Sequence, residues 1–270
     1  MENARKRLLE RQNQLGHQAK KSLGQNFLVS DHVIQKILSA VVDLQLKMKS
    51  SALIEIGPGL GALTDLLIPM SDFFQAIELD RSLYDFWKLQ NLNIINEDAL
   101  KMDWRPFSQK ILVSNLPYQI SSSLVIEKSI QPYSIEAMVL MFQKEVAQRI
   151  RAVVDSDHYG MLSVIAQEFW VIDTVCDAGP VDFNPSPKVA SRVLKFIKRE
   201  SEIKDKNKYL QFIKQCFQQR RRILKSNLPN AISQPLIEWL KLNNFSEKVR
   251  AEELSPKKFR ELFIYLDKNN

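Results

Sequence analysis

Between residues 52 and 197 short apolar runs alternate with stretches of helical spacing. Segments 52–56, 73–77, 92–95, 110–114, 137–142, 169–176 and 193–197 are almost continuously apolar. Runs of that length without polar alternation predict strands buried on both faces. Ser30 or Asp31 can cap a helix reaching about residue 42, with Val33, Ile34, Ile37, Leu38, Val41 and Val42 on one side. Further helical stretches follow residues 61, 118, 143 and 160. Strand alternating with helix predicts an α/β sheet with helices on both faces. From about residue 199 the pattern changes to helices without glycine, over 209–217, 235–242 and 256–266. A cluster of Lys, Glu and Asp at 199–207 marks the expected boundary. The reading is therefore a domain over 1–200, with a basic N-terminal segment at 1–28, and a small all-α C-terminal domain over 201–270.

Charge sharpens that division. The net charge is +4 over residues 1–28, −7 over 29–191 and +10 over 192–270. A basic head and tail around an acidic middle suggest a catalytic body flanked by parts that meet a polyanion. No apolar run approaches the roughly 20 residues that span a membrane, and the basic start lacks a secretory apolar core. Cys176 and Cys216 lie far apart, and His17, His32 and His158 have no ligand spacing. A cytoplasmic, metal-free protein is expected.

Four strand ends carry candidate chemistry. Residues 52–56 run directly into Gly57-Pro58-Gly59-Leu60-Gly61 and then a helix. Strand, glycine turn and helix make half of a nucleotide-binding βαβ unit, in which the backbone approaches the ligand closely. Glu78 ends the next strand, 21 residues after Gly57, near the offset at which an acid meets ribose hydroxyls. The spacing is GxGxG, not GxGxxG, which favours a nucleoside without phosphates, and S-adenosylmethionine fits. Asp98 follows the third strand, where it could meet an adenine amino group or simply cap a turn. Asn115-Leu116-Pro117-Tyr118 follows the fourth strand. Pro117 lacks an N–H and pushes Leu116 towards extended geometry, so nearby carbonyls can accept from a ligand. Tyr118 offers a face to a planar base. Phe183, in the two-proline loop Phe183-Asn184-Pro185-Ser186-Pro187, can stack on such a base or plug the core beneath the loop.

Taken together, these motifs resemble the rRNA adenine N6-dimethyltransferase family, and most of all its small-subunit (16S-type) branch. The resemblance rests on Gly24-Gln25-Asn26-Phe27-Leu28, Glu55-Ile56-Gly57-Pro58-Gly59, Ile77-Glu78-Leu79-Asp80, Asp98-Ala99, Asn115–Tyr118, Gln143–Val146, Tyr159–Ser163, Phe183–Ser191, Gln219-Arg220-Arg221 and Arg250–Ser255. It implies a Rossmann-like S-adenosylmethionine-dependent methyltransferase sheet. By position, Asn26, Leu28, Gly57, Gly59, Glu78, Asp98 and Asn115 would contact the cofactor. Asn115, Leu116, Pro117, Tyr118 and Phe183 would hold the target adenine. Lys20, Lys21, Arg220, Arg221 and Arg222 would meet RNA. Ser186, Ala190 and Gln148 depart from the family's usual Pro, acid and Arg.

The implied reaction dimethylates two adjacent adenines near the 3′ end of small-subunit rRNA. The partner would be that RNA in an immature 30S-type ribosomal subunit, met by a monomer. The alternatives are a related enzyme acting on large-subunit rRNA or DNA, and a ribosome-assembly factor that works mainly by binding. Arg220–Arg222 are expected in an amphipathic helical region, at least two facing solvent, or else paired with Glu252 and Glu253.

Overall fold

The computed structural model describes residues 3–131 and 133–268. The chain forms two compact units. The first comprises Met1–Leu124, Pro132–Ala147 and Ile172–Ile197, and the second Val125–Gln131, Gln148–Val171 and Lys198–Asn270. The second unit thus draws two segments from before residue 172 into its helical core.

The strands are β1 (Phe27–Leu28), β2 (Leu53–Ile56), β3 (Phe74–Ile77), β4 (Ile94–Ile95), β5 (Ile111–Asn115), β6 (Ala137–Gln143), β7 (Trp170–Ala178), β8 (Phe183–Asn184) and β9 (Ser191–Lys198). Seven of them form a sheet in the order β4-β3-β2-β5-β6-β9-β7. From β4 to β6 every pairing is parallel, and β9 runs antiparallel to β6. Every residue of β2 and β3 is buried, as are Ile111–Ser114 of β5. Burial on both faces explains why these strands read as unbroken apolar runs. β1 and β8 form a separate antiparallel pair, with Leu28 opposite Phe183. Two-residue strands leave no periodic signal, so this pair was not predicted.

In the first unit, α1 (Ala4–Leu15) starts at Asn3, whose side chain accepts from the Arg5 N–H, and ends at Gly16 with φ 58°. The helix α2 (Asp31–Met48) runs six residues beyond the expected end. Leu44 and Met48 continue the three- and four-residue steps from Val41, so the buried stripe does not stop at 42. That stripe packs with Leu53, Ile111, Val113, Val139 and Met141 from the sheet in one core. Pro69 limits α3 (Thr64–Leu67) to one turn followed by a 3-10 turn. Asp80 caps α4 (Arg81–Leu89) by accepting from Ser82 N–H. α5 (Ser121–Ile130) and α6 (Lys144–Ile150) follow β5 and β6.

The second unit contains α7 (Met161–Phe169), α8 (Lys206–Cys216), α9 (Ser233–Leu242) and α10 (Pro256–Lys268), with α10 packed on the other three. Aromatic rings form its centre. Tyr209 lies 5.2 Å from Phe263 and 6.1 Å from Phe169, and Phe217 lies 5.5 Å from Phe259. Tyr159 Oη donates to Leu254 O at 2.7 Å. Residues 217–220 turn rather than extend the helix. Asn227 Nδ2 donates to Cys216 O and Gln219 O there, taking up carbonyls that a continuing helix would have used. Among the described residues no helix is long and apolar enough to cross a membrane.

Gly61 has φ 86°, and a Cβ there would lie 2.0 Å from Arg11 Nη1 and 2.9 Å from Trp87 Cζ2. Gly61→Ala is therefore expected to lower stability by about 1–3 kcal/mol. An unchanged denaturation midpoint would show that the turn tolerates a side chain.

Candidate active site

Parallel strands end at one edge of their sheet, and their first loop residues gather there. At that edge lies a cavity of about 210 Å³, lined by the ends of β2 to β5 and by residues 22–27. Gly57, Gly59, Glu78, Asp98, Asn26 and Asn115 all line it, as do Leu116, Pro117 and Tyr118. Gly57 has φ 69° and open space where a Cβ would stand, so the backbone is bare to a ligand. The structure brings most of the expected set together, from five stretches of chain.

Glu78 is buried. Its Oε1 accepts from Asp80 N–H at 2.9 Å and its Oε2 from Gly59 N–H at 3.3 Å. These bonds tie the acid to the glycine turn and fix its direction. Burial nevertheless pushes its pKa up to about 7. Asn96 Nδ2 donates to Glu78 O at 2.8 Å and braces the neighbouring strand ends. Asp98 Oδ1 accepts from Leu100 N–H at 2.9 Å, so it caps a turn and lines the cavity as well.

Asn115 Nδ2 donates to Asn26 O at 3.0 Å. That bond orients the amide and leaves Oδ1, a pure acceptor, for a ligand's N–H. Leu116, the next residue, lines the same wall and is buried. Tyr118 is half-buried, and its hydroxyl shares a 2.9 Å hydrogen bond with Ser191 Oγ. Desolvation raises the Tyr118 pKa, so the ring stays neutral.

Several expected residues sit elsewhere. Leu28 is not in the lining of this cavity; it borders a smaller recess of about 30 Å³ behind the glycine turn. Phe183 is only 2% exposed and packs in the sheet's core. Pairing with Leu28 turns its ring inward, and of the two readings of this residue the core plug describes its position. Lys20 Nζ lies 2.7 Å from Asp80 Oδ1, in an ion pair rather than free for phosphate. Lys21 is exposed. Arg220 is committed within its own unit: Nε donates to Glu252 Oε2 at 2.8 Å, Nη1 to Asp157 O at 2.7 Å and Nη2 to Ser156 O at 3.0 Å. Arg221 and Arg222 are exposed on the turn.

Glu55 was not singled out by the sequence. Its side chain borders the small recess together with Gly57, Pro58, Gly59 and Asn115. It is 2% exposed, and Oε2 has no hydrogen-bond partner. Burial pushes its pKa up to about 8, against a lowering hydrogen bond from Thr64, with Asp65 and Glu78 adding repulsion. An acid inside an apolar strand was the available signal. Asp80 and Ser191 were missed for another reason: their partners are distant in sequence.

A family model for ribosomal RNA adenine dimethylases matches residues 16–268. A ribosomal RNA small subunit methyltransferase A from Bdellovibrio bacteriovorus is 52% identical over 272 residues, covering 97% of this chain and 98% of that protein. The protein of the same name from Ureaplasma urealyticum is 37% identical, covering 93% of each. Among solved structures, a dimethyladenosine transferase from Plasmodium falciparum superposes with a TM-score of 0.73 at 26% identity, covering 90% of this chain and 98% of that one.

The raised pKa of Glu55 makes a stability prediction. A carboxyl whose folded pKa exceeds its unfolded value favours folding while protonated. That contribution is complete below about 4.5 and is lost as pH rises through about 8. The ligand-free protein should therefore melt at a lower temperature at pH 8.5 than at pH 6. Glu55→Gln should remove most of that fall and raise the melting temperature at pH 8.5 by roughly 5 °C. An identical fall in the mutant would mean that Glu55 is ionised at little cost.

Proposed function

The chain belongs to the ribosomal RNA adenine dimethylase family, and on that premise we propose that it dimethylates N6 of two adjacent adenines near the 3′ end of small-subunit rRNA. The observation that carries this reading is the Asn115–Asn26 hydrogen bond, which orients the amide and leaves its oxygen to accept. The carbonyl of Leu116, which lines the same cavity, is the second acceptor we assign. An exocyclic –NH2 presents two donors, and this pair matches it.

S-adenosylmethionine, when bound, supplies an electrophilic methyl group. The residues present suit it: Glu78 for ribose hydroxyls and the open backbone at Gly57. Asn26, Gly59 and Asp98 complete the wall. The chain's own work concerns the adenine. Its N6 lone pair is conjugated into the ring and therefore a poor nucleophile. Hydrogen bonds from the two N6–H groups to Asn115 Oδ1 and Leu116 O favour a pyramidal nitrogen and release that pair. The nitrogen that has gained a methyl group then loses its proton to water, and the one N–H left donates to the pair in the second round. Tyr118, its ring held through Ser191, offers the stacking face. Positioning of this kind can lower a barrier by about 7–11 kcal/mol.

The substrate we propose is the immature 30S-type subunit, met by a monomer in the cytoplasm. The defining experiment is tritium transfer from methyl-labelled cofactor to immature small subunits, with the product mapped. Label on two adjacent adenines near the 3′ end supports the reading. Label only in large-subunit RNA, or tight subunit binding without transfer, overturns it.

Asn115→Ala is expected to leave both substrates bound and to lower the single-turnover rate at least about a hundredfold, since the acceptor acts mainly in the transition state. A near-normal rate would remove Asn115 from the chemistry.

Arg221 and Arg222 are the exposed members of the arginine run, in the region of strongest positive charge. Arg221→Ala with Arg222→Ala should weaken RNA binding. It should also reduce the slope of log affinity against log salt by roughly 0.7–0.9 per lost phosphate contact. Parallel salt lines for mutant and wild type would mean that neither side chain meets phosphate.

A further inference from the structure

One wall of the cavity is not part of the sheet. Residues 22–27 follow α1 and would otherwise be a loop with a two-residue strand at its end. Their anchor is Asp80, which does not itself line the cavity. Its side chain is fully buried and makes four short polar contacts. Oδ1 accepts from Lys20 Nζ at 2.7 Å, from Ser82 Oγ at 2.8 Å and from Ser82 N–H at 3.1 Å. Oδ2 accepts from Gln25 Nε2 at 2.8 Å.

The network continues from there. Gln25 Oε1 accepts from Lys20 N–H at 2.8 Å and lies 3.3 Å from His17 Nε2. His17 Nδ1 lies 3.2 Å from Ser82 Oγ, and its Nε2 is 4.0 Å from Asp80 Oδ2. Three residues of the 17–25 segment thus converge on one carboxylate at the start of α4. The next residue is Asn26, whose carbonyl orients the Asn115 amide. Charged hydrogen bonds to a buried carboxylate are the strong kind, and losing one leaves the other partner buried and unpaired.

We propose that Asp80 is a positioning residue for the methyl-transfer site, acting through Lys20 and Gln25 to hold segment 17–26 against the strand ends. Ion pairing by Lys20 is then a local latch, and its job is cofactor retention before any contact with RNA. This rests on the reading that the cavity holds S-adenosylmethionine. Asp80 also caps α4, so a variant that spares the cap separates the two roles. Lys20→Met does so, because the Ser82 bonds to Asp80 remain. If the latch keeps the segment closed, its loss lowers the competent fraction of the protein and raises the apparent dissociation constant by the same factor.

The experiment compares wild type, Lys20→Met, Lys20→Arg, Asp80→Asn and the Lys20→Met/Asp80→Asn double variant. The readouts are calorimetric affinity for S-adenosylmethionine and amide hydrogen exchange over 17–26 and 81–89. For Lys20→Met, affinity should fall by roughly tenfold. Exchange should quicken over 17–26 and stay unchanged over 81–89. Lys20→Arg should restore affinity, and the double variant should bind no worse than Asp80→Asn alone. Wild-type affinity and exchange in Lys20→Met, or additive losses in the double variant, would overturn the proposal. The exchange readout needs no ligand. Absence of cofactor binding by the wild type would therefore sink the cavity assignment, while exchange over 17–26 in Lys20→Met would still decide the latch.

Discussion

Parallel pairing of β2, β3, β4 and β5 is the constraint on which the site depends. Ile56 stands beside Ile77 and Ile77 beside Ile95, while Glu55 stands beside Val113. In such a ladder the strands finish together, so the glycine turn, Glu78, Asn96 and Asn115 arrive at one edge. Ser114 Oγ donates to Ile56 O at 2.5 Å, tying β5 to the end of β2 just before both chains leave the sheet. A one-residue slip would turn Glu78 and Asn115 to the opposite faces. The apolar packing of α2 against β5 and β6 therefore guards the chemistry as well as the fold.

The sheet places acids and acceptors, and the preceding segment encloses them. Its attachment combines polar and apolar contacts. Arg11 Nη1 donates to Leu60 O at 2.8 Å and lies 3.1 Å from Asp65 Oδ2, and its guanidinium sits 5.0 Å from the Trp87 ring. Leu8 is buried beside the glycine turn. Buried carboxylates with donors on several sides, such as Asp80, hold their charge easily, and its pKa falls to about 2. Glu55 and Glu78 lie in the opposite regime, poorly solvated and raised. The contrast separates an acid surrounded by donors from two acids that burial leaves poorly solvated.

Most of the sheet was legible because fully buried strands announce themselves as apolar runs. The cavity residues were legible because they end those runs. Interactions spanning long sequence distances were not. Nothing near Lys20 indicates a carboxylate sixty positions later, and nothing around Arg220 reveals the carbonyls of Ser156 and Asp157. Phe183 admitted two readings from local sequence, and its burial with Leu28 in one core was not visible there. The helical C-terminal region was readable from its spacing. The segments 125–131 and 148–171 that join its unit were not, because compactness is a property of contacts and not of order along the chain.

Trp87 has a consequence of a different kind. Its indole Nε1 donates to Gly59 O at 2.9 Å, while a guanidinium lies against its ring. Indole emission responds to both the hydrogen bond and the adjacent positive charge. The glycine turn therefore carries its own optical probe: a change in that turn is written into the fluorescence of a residue native to the chain, with no label attached.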